Sequence, residues 1–578
     1  MSFTRSLALT FHWLLILSGS LHAIAQPQVQ FSGNRDYVGR YALRDDLLLE
    51  VTQTDTLLNL LPTFWRTVQV LEPVGQDSFQ SLLHPEIKFR FIRDAMGNII
   101  ELDVSGHREI GGKAIRLQAA KQTVVELLLS GEPERAFNML QTAGELNSPS
   151  RALRLGRRLI GIPSKALTAA KFLGLAARTF PLEGSALELL GSAWLQVGKR
   201  DSARDAFRKA IELGQADPVT RHSARLLDSD SPSASATASA NLSFSLDELF
   251  RLPTQSEIQE TKNDWSQRRL DPVGMSKVNV HEILFHGVAF EVRILSHLVY
   301  GTRHYGAVLV PKGTKSDSYP VLVELRGVNW SYSPFPLEAL HIPDILREDM
   351  KRVIIVVPSF RGETMTVGTN KYTSEGVPTN GWDGATDDAM AFLSVALSET
   401  PEADSQHVGV FGKSRGGTVA LLMGARDKRI DCVVDWAGPA DWFTTMGTGG
   451  WTLKEQVQIG LWEGWKPGQG EGSAGQFIEW CIESTQRSLE AARHRMIASS
   501  PLYFLENLPP TDLQYGDEDT SVPKQNALAL EKVLASRMAG PSRFRVTRHP
   551  SAGHDMPYPD AYDISRNFLQ KYLLSGRD

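Results

Sequence analysis

Residues of one kind recur at every second position in the first part of the chain, as in Thr67-Val68-Gln69-Val70-Leu71 and Ile87-Lys88-Phe89-Arg90-Phe91. That is the period of a strand with one buried face. Between Phe89-Arg90-Phe91-Ile92 and Ile99-Ile100-Glu101-Leu102, the segment Arg93-Asp94-Ala95-Met96-Gly97-Asn98 predicts a hairpin tip, with Gly97 and Asn98 suited to positive φ. Residues 26–110 therefore read as a small antiparallel β-domain.

The period then changes. From residue 111 to 228, Ala, Leu, Arg and Glu recur at helical spacing. Gly198-Lys199-Arg200-Asp201-Ser202-Ala203-Arg204-Asp205-Ala206-Phe207, preceded by Leu190-Gly191-Ser192-Ala193-Trp194, is similar to the tetratricopeptide pattern. Gly131 with Ala136 and Gly161 with Ala166 repeat the Gly-to-Ala step of five, at separations of 30 and 37 residues that bracket the period of about 34. Small residues let paired helices approach closely, so they read first as packing; a docking surface for a protein partner is the alternative. Residues 229–240, including Ser231-Pro232-Ser233-Ala234, have no periodicity and predict a linker.

From 241 to 578, apolar runs alternate with helical stretches: Ala307-Val308-Leu309-Val310, Val321 to Leu325, Val353 to Val357, Val408 to Phe411 and Cys432 to Asp435. Continuous runs of this length suit strands covered on both faces, which predicts a mostly parallel sheet with helices on either side. The expected protein is multidomain, with a C-terminal α/β unit behind a small β-domain and a helical repeat region.

Charge removes one class of function. Lys plus Arg number 61 against 66 for Asp plus Glu, a formal balance of −5 that provides no basic field for a nucleic-acid backbone. Two cysteines, Cys432 and Cys481, allow one bridge or two small buried side chains, but no disulfide framework. Arg5, the apolar run Leu7 to Leu17 and Ala23-Ile24-Ala25 before Gln26 predict a cleaved signal over residues 1–25, hence a secreted or periplasmic protein. The run is too short to span a bilayer, and no later one is long enough.

The candidate chemistry begins after the strand Val408 to Phe411. Gly412-Lys413-Ser414-Arg415-Gly416 is a complete G-x-S-x-G, followed by Gly417 and the helical Thr418-Val419-Ala420-Leu421. The turn from strand to helix is so tight that side chains at 412 and 416 would collide, and it leaves Ser414 exposed as a nucleophile. A serine hydroxyl needs a base, and the base an orienting acid, in the order Ser, Asp, His. The polar turn Tyr515-Gly516-Asp517-Glu518-Asp519 and the loop Ser551-Ala552-Gly553-His554-Asp555 provide both.

Over residues 280–575 the chain resembles the catalytic domain of the prolyl oligopeptidase family of α/β hydrolases. Gly412 to Gly417 match its G-x-S-x-G-G, Gly516 to Pro523 its Gly-x-x-Asp turn before Val-Pro, and Gly553-His554 its Gly-His. The resemblance implies Asp519 as the acid rather than Asp517 or Glu518, and His554 as the base. Arg361-Gly362 also looks like the Arg-Gly after the family's fourth core strand. The oxyanion hole would take the N–H of Arg415 and a second donor from the loop after an early strand. The family's His-Gly-Gly is replaced there by Arg326-Gly327-Val328, which leaves Gly327 or Val328 as the donor.

Residues 443–500, with Trp451, Trp462, Trp465 and Trp480, form an insertion that is either a cap over the site or a helical hairpin with its own core. No phosphate-loop, zinc-protease or dinucleotide motif is present, so no cofactor or metal is expected. The expected function is an exported serine hydrolase, by resemblance a serine peptidase acting on short peptides. Carboxylic ester hydrolysis by the same triad and a non-catalytic scaffold built on the helical repeats are the alternatives.

Overall fold

In a computed structural model, residues 36–575 are described apart from 45–46, 55–56, 64–68, 83–85, 108–109, 119–121, 215, 217, 229–243, 314–317, 329–333, 377–380, 445–446, 448, 463–481, 483–487, 538–542 and 558. The expected signal, the linker and Cys481 lie outside the described residues. The described chain divides into two compact units, one ending at Lys121 and one that holds Gln122 to Asp578.

The first unit is a closed antiparallel barrel of β1 (Gly39–Arg44), β2 (Leu47–Thr54), β3 (Leu57–Pro62), β4 (Gln69–Gly75), β5 (Ser78–Ser81), β6 (Lys88–Arg93), β7 (Ile99–Ser105) and β8 (Gly112–Arg116). Alternation explains the closure. Phe89 and Phe91 point inward from β6 beside Phe79 and Tyr41, while Lys88 and Arg90 face out. Pairing of β8 with β1, Tyr41 opposite Arg116, leaves the barrel no open edge. The β-domain thus runs past the expected boundary at 110, because closure needs an eighth strand. At the hairpin tip only Gly97 takes positive φ, at 86°; Asn98 does not.

In the second unit, helices at Val124–Ser130, Pro133–Thr142, Ser150–Ile160, Ala166–Thr179, Gly184–Gln196, Arg200–Glu212 and Pro218–Asp228 follow one another. The small residues serve close approach: a Cβ on Gly191 would lie 2.4 Å from the Phe207 ring of the next helix, and one on Gly156 2.4 Å from Leu173. Ala136, Ala166 and Ala203 are buried.

The nine-stranded sheet has the order β20-β19-β18-β17-β12-β14-β11-β10-β9. Its strands are β9 (Ser276–Phe285), β10 (Val288–Val299), β11 (Thr302–Pro311), β12 (Tyr319–Leu325), β14 (Ile354–Ser359), β17 (Ala403–Lys413), β18 (Ile430–Trp436), β19 (Thr511–Gly516) and β20 (Phe544–His549). A separate small sheet joins β13 (Phe335–Pro336), β15 (Thr364–Val367) and β16 (Asn370–Thr373). The large sheet is mixed: β14, β12 and β17 to β20 pair in parallel, whereas β9, β10, β11 and β14 pair antiparallel. Two tight hairpins cause this. His286-Gly287 and Tyr300-Gly301 both have positive φ, the backbone a two-residue antiparallel turn requires.

Both faces are buried. Val321, Val323 and Leu325 join one core with Phe392 of the helix Gly381–Glu399 and Val419 of the helix Arg415–Arg426. Leu322, Ile355 and Phe411 join the other, with Ile345 and Phe568. The parallel strands direct their C-terminal ends to one side, where the segments after β12, β17, β19 and β20 carry the candidate residues.

Candidate active site

Ser414 stands between β17 and the helix Arg415–Arg426 with φ 58° and ψ −126°, a conformation an L-residue adopts only under constraint. The constraint is visible. The Ser414 N–H donates to the Trp436 carbonyl at 2.8 Å, and the Gly417 N–H to the Ser414 carbonyl at 2.9 Å. A Cβ at Gly412 would lie 2.0 Å from the Gly416 carbonyl oxygen, one at Gly416 1.9 Å from that of Leu325, and one at Gly417 2.0 Å from Oδ1 of Asp435. All three glycines are therefore required by space.

Asp519 and His554 meet across two loops. Oδ2 of Asp519, which is 1% exposed, lies 2.7 Å from Nδ1 of His554, which is 25% exposed. Its Oδ1 accepts the N–H groups of Ser521 and Val522 at 2.8 Å each. The loops are tied by Glu518 N–H to Ala552 O at 2.9 Å, and Gly516 has no room for a side chain against Ala552 and Gly553. The neighbouring acids are engaged elsewhere: Asp517 pairs with Arg548, and Glu518 accepts the Ser164 N–H at 3.0 Å. His549 is buried against Gln514 at 2.7 Å, and burial lowers its pKa.

Ser414 makes no side-chain hydrogen bond among the described residues. Catalytic contacts in ligand-free enzymes are often formed only with substrate. What links the serine turn to the histidine loop is a pair that sequence reasoning missed: Lys413, before the serine, forms an ion pair with Asp555, after the histidine. Asp555 is thus more than a turn residue.

Gly327 lies beside the serine, since a Cβ there would be 3.5 Å from that of Ser414. Val328 follows it, half-buried against the core. Nearby, burial lowers the pKa of Arg326, against the attraction of Glu324 and Glu363. Arg361 holds the loop after β14 through Asp388, with its N–H and Nε each 2.9 Å from Oδ2.

A cavity of about 700 Å³ opens beside Asp519 and Thr520. Arg157 and Gln196 of the helical region line one side, Trp451 and Lys524 another. Trp451 packs against the buried cluster of Leu195, Ala203, Phe207, Ala224 and Leu227, and its ring centre lies 5.6 Å from the Arg200 guanidinium. Trp462, Trp465 and Trp480 have no described side chains. Among the described residues, no group of three or more His, Cys, Asp or Glu is placed to hold a metal ion, and no helix is long and apolar enough to cross a membrane. Cys432 is a free thiol, fully buried, and burial raises its pKa.

Residues 351–575 match the prolyl oligopeptidase family. This part of the chain is a prolyl oligopeptidase family domain. It includes Ser414, Asp519 and His554; Gly327 and Val328 precede the matched segment. No curated protein matches the chain. Among solved structures, the chain is similar to the acylaminoacyl peptidase of Pyrococcus horikoshii, at 17% identity and a TM-score of 0.36 over 50% of this chain and 42% of that one. A puromycin-hydrolyzing peptidase of Mycobacterium tuberculosis aligns at 14% identity and a TM-score of 0.35, over 51% and 39% of the two chains. Acetyl xylan esterase 1 of a Thermoanaerobacterium species aligns at 17% identity and a TM-score of 0.37, over 58% and 99%. The alignments with the two peptidases thus span about two fifths of each peptidase's length.

Proposed function

We propose that the chain is an exported serine hydrolase, most simply a serine peptidase of the kind its prolyl oligopeptidase family domain suggests, with Ser414 as nucleophile. His554 removes the hydroxyl proton through Nε2 as Oγ attacks a substrate carbonyl, and Asp519 holds Nδ1 protonated and facing it. The tetrahedral oxyanion is met by the N–H of Arg415 and a second N–H from Gly327 or Val328. Collapse expels the leaving group, which takes the proton from His554, and leaves an acyl-serine. Water, deprotonated by the same histidine, then releases the acid. Export rests on residues 1–25 of the sequence.

The 2.7 Å contact between Asp519 and His554, on loops at the same sheet edge as the strained Ser414, is the observation that carries this reading. Its test is turnover of prolyl and alanyl p-nitroanilides beside matched p-nitrophenyl esters, with Ser414→Ala as control. Anilide cleavage that disappears in the variant supports a peptidase. Ester turnover alone moves the assignment to a carboxylic ester hydrolase. Activity that survives Ser414→Ala removes the nucleophile, and silence of the parent toward both substrates and a fluorophosphonate probe leaves the helical region as the functional part.

A further inference from the structure

The segment Arg326-Gly327-Val328 carries two N–H groups, those of Gly327 and Val328, that find no acceptor among the described residues. Each belongs to a peptide unit whose carbonyl is held. In a trans peptide the C=O and N–H are fixed in opposite directions, so holding the oxygen of Arg326 orients the N–H of Gly327, and holding that of Gly327 orients the N–H of Val328. One side chain reaches both. Nη2 of Arg415 donates to the Gly327 carbonyl at 2.9 Å, and its Nε is directed at that of Arg326, at a longer 3.4 Å.

The guanidinium is itself fixed. Nη2 also donates to Oε1 of Glu363 at 2.5 Å, and the group lies 4.7 Å from the centre of the Phe360 ring. Glu363 sits in a loop closed by its own N–H to Phe360 O at 3.0 Å and by the Ser374 N–H to its carbonyl at 2.9 Å. The Arg415 and Glu363 side chains are only 8% and 13% exposed. A pair this desolvated is weak evidence of a gain in stability, which directs attention to geometry instead. The planar, rigid fork of arginine suits two carbonyls and a carboxylate at once, as a lysine point charge does not.

We propose that the Arg415 side chain is a positioning residue for the oxyanion hole: its backbone N–H is one donor, and its guanidinium, braced by Glu363, orients the loop that carries the other. This rests on the reading of Ser414 as nucleophile. It gives the variable position of G-x-S-x-G a specific task in this chain, where Arg-Gly-Val replaces the His-Gly-Gly of the family.

The test compares the full-length parent, Arg415→Met and the double variant Arg415→Met/Glu363→Gln, which leaves no unpaired buried carboxylate. The readouts are kcat and KM on a p-nitrophenyl ester and inhibition by a trifluoromethyl ketone, whose serine adduct carries an oxyanion. In both variants kcat should fall roughly 10- to 100-fold, less than the 10²–10³ for outright loss of a donor, and ketone affinity should fall in parallel. KM should stay within about twofold. The inference is overturned if a folded variant keeps the parent's kcat and ketone affinity, or if the loss lies in KM, while Ser414→Ala is inert. If Ser414→Ala is as active as the parent, the proposed function falls first and takes this inference with it.

Discussion

Asp519 divides its two carboxylate oxygens between different partners: Oδ2 faces Nδ1 of His554 at 2.7 Å, and Oδ1 accepts the N–H groups of Ser521 and Val522. This division makes Asp519→Asn informative. The amide oxygen has to serve the two N–H donors, which turns the amide nitrogen toward the imidazole. His554 must then accept at Nδ1 and carry its proton on Nε2, where it cannot take one from Ser414. We expect kcat on a p-nitrophenyl ester to fall by about 10⁴ with the fold unchanged by circular dichroism.

At Gly416 the backbone itself is the obstacle, because the missing Cβ would lie 1.9 Å from the Leu325 carbonyl oxygen. No side-chain movement relieves that contact. Gly416→Ala should destabilise the second unit by about 3 kcal/mol, seen as a lower urea midpoint with the slope unchanged.

The helical region meets the segment after β18 at Trp451, which packs against the cluster of Leu195, Ala203, Phe207, Ala224 and Leu227, and at Gly450, where a Cβ would lie 2.5 Å from the Leu195 carbonyl oxygen. Trp451 is half-buried. Trp451→Ala should therefore cost about 2 kcal/mol, less than for a fully buried Trp. A urea titration that shows no loss would mean that this contact adds nothing to stability.

Beside Gly417 in the turn that carries Ser414, burial pushes the Asp435 carboxyl from an ordinary 3.8 up to about 8, with one hydrogen bond from the Gly438 N–H at 2.9 Å opposing the shift. The folded state therefore holds a proton that the unfolded chain releases. The stabilisation is complete below pH 3.8 and is lost as pH rises through about 8. Asp435→Asn, which cannot ionise, should lose less stability than the parent between pH 5 and 9; equal losses in thermal melts at those pH values would contradict the assignment.

The hairpin at Arg93 to Asn98, the helical run from 124 to 228 and the strand-turn-helix around Ser414 were all legible along the chain, since each depends on neighbours within a few residues. Periodicity records which face of an element is buried, and a tight turn records its glycines. The G-x-S-x-G motif named its own requirements, and the overlaps at Gly412 and Gly416 are the physical form of that pattern. The antiparallel strands β9, β10 and β11 were signalled by His286-Gly287 and Tyr300-Gly301, but two-residue turns are easily passed over beside long apolar runs.

Other features lie between residues far apart in the chain, and no local pattern encodes them. Three acids in a row, Asp517, Glu518 and Asp519, have much the same propensities; packing decides that one pairs with Arg548, one with Ser164 and one with His554. Lys413 with Asp555, and Arg415 with Glu363 and Gly327, likewise exist only once the sheet has brought the C-terminal ends of β12, β14 and β17, and that of the edge strand β20, to one side. The sequence determined the elements and the residue types able to do chemistry, because those follow from local sterics and burial period. The tertiary structure alone decided which of them touch, because hydrogen bonds and ion pairs act over a few ångströms in space, whatever their separation along the chain.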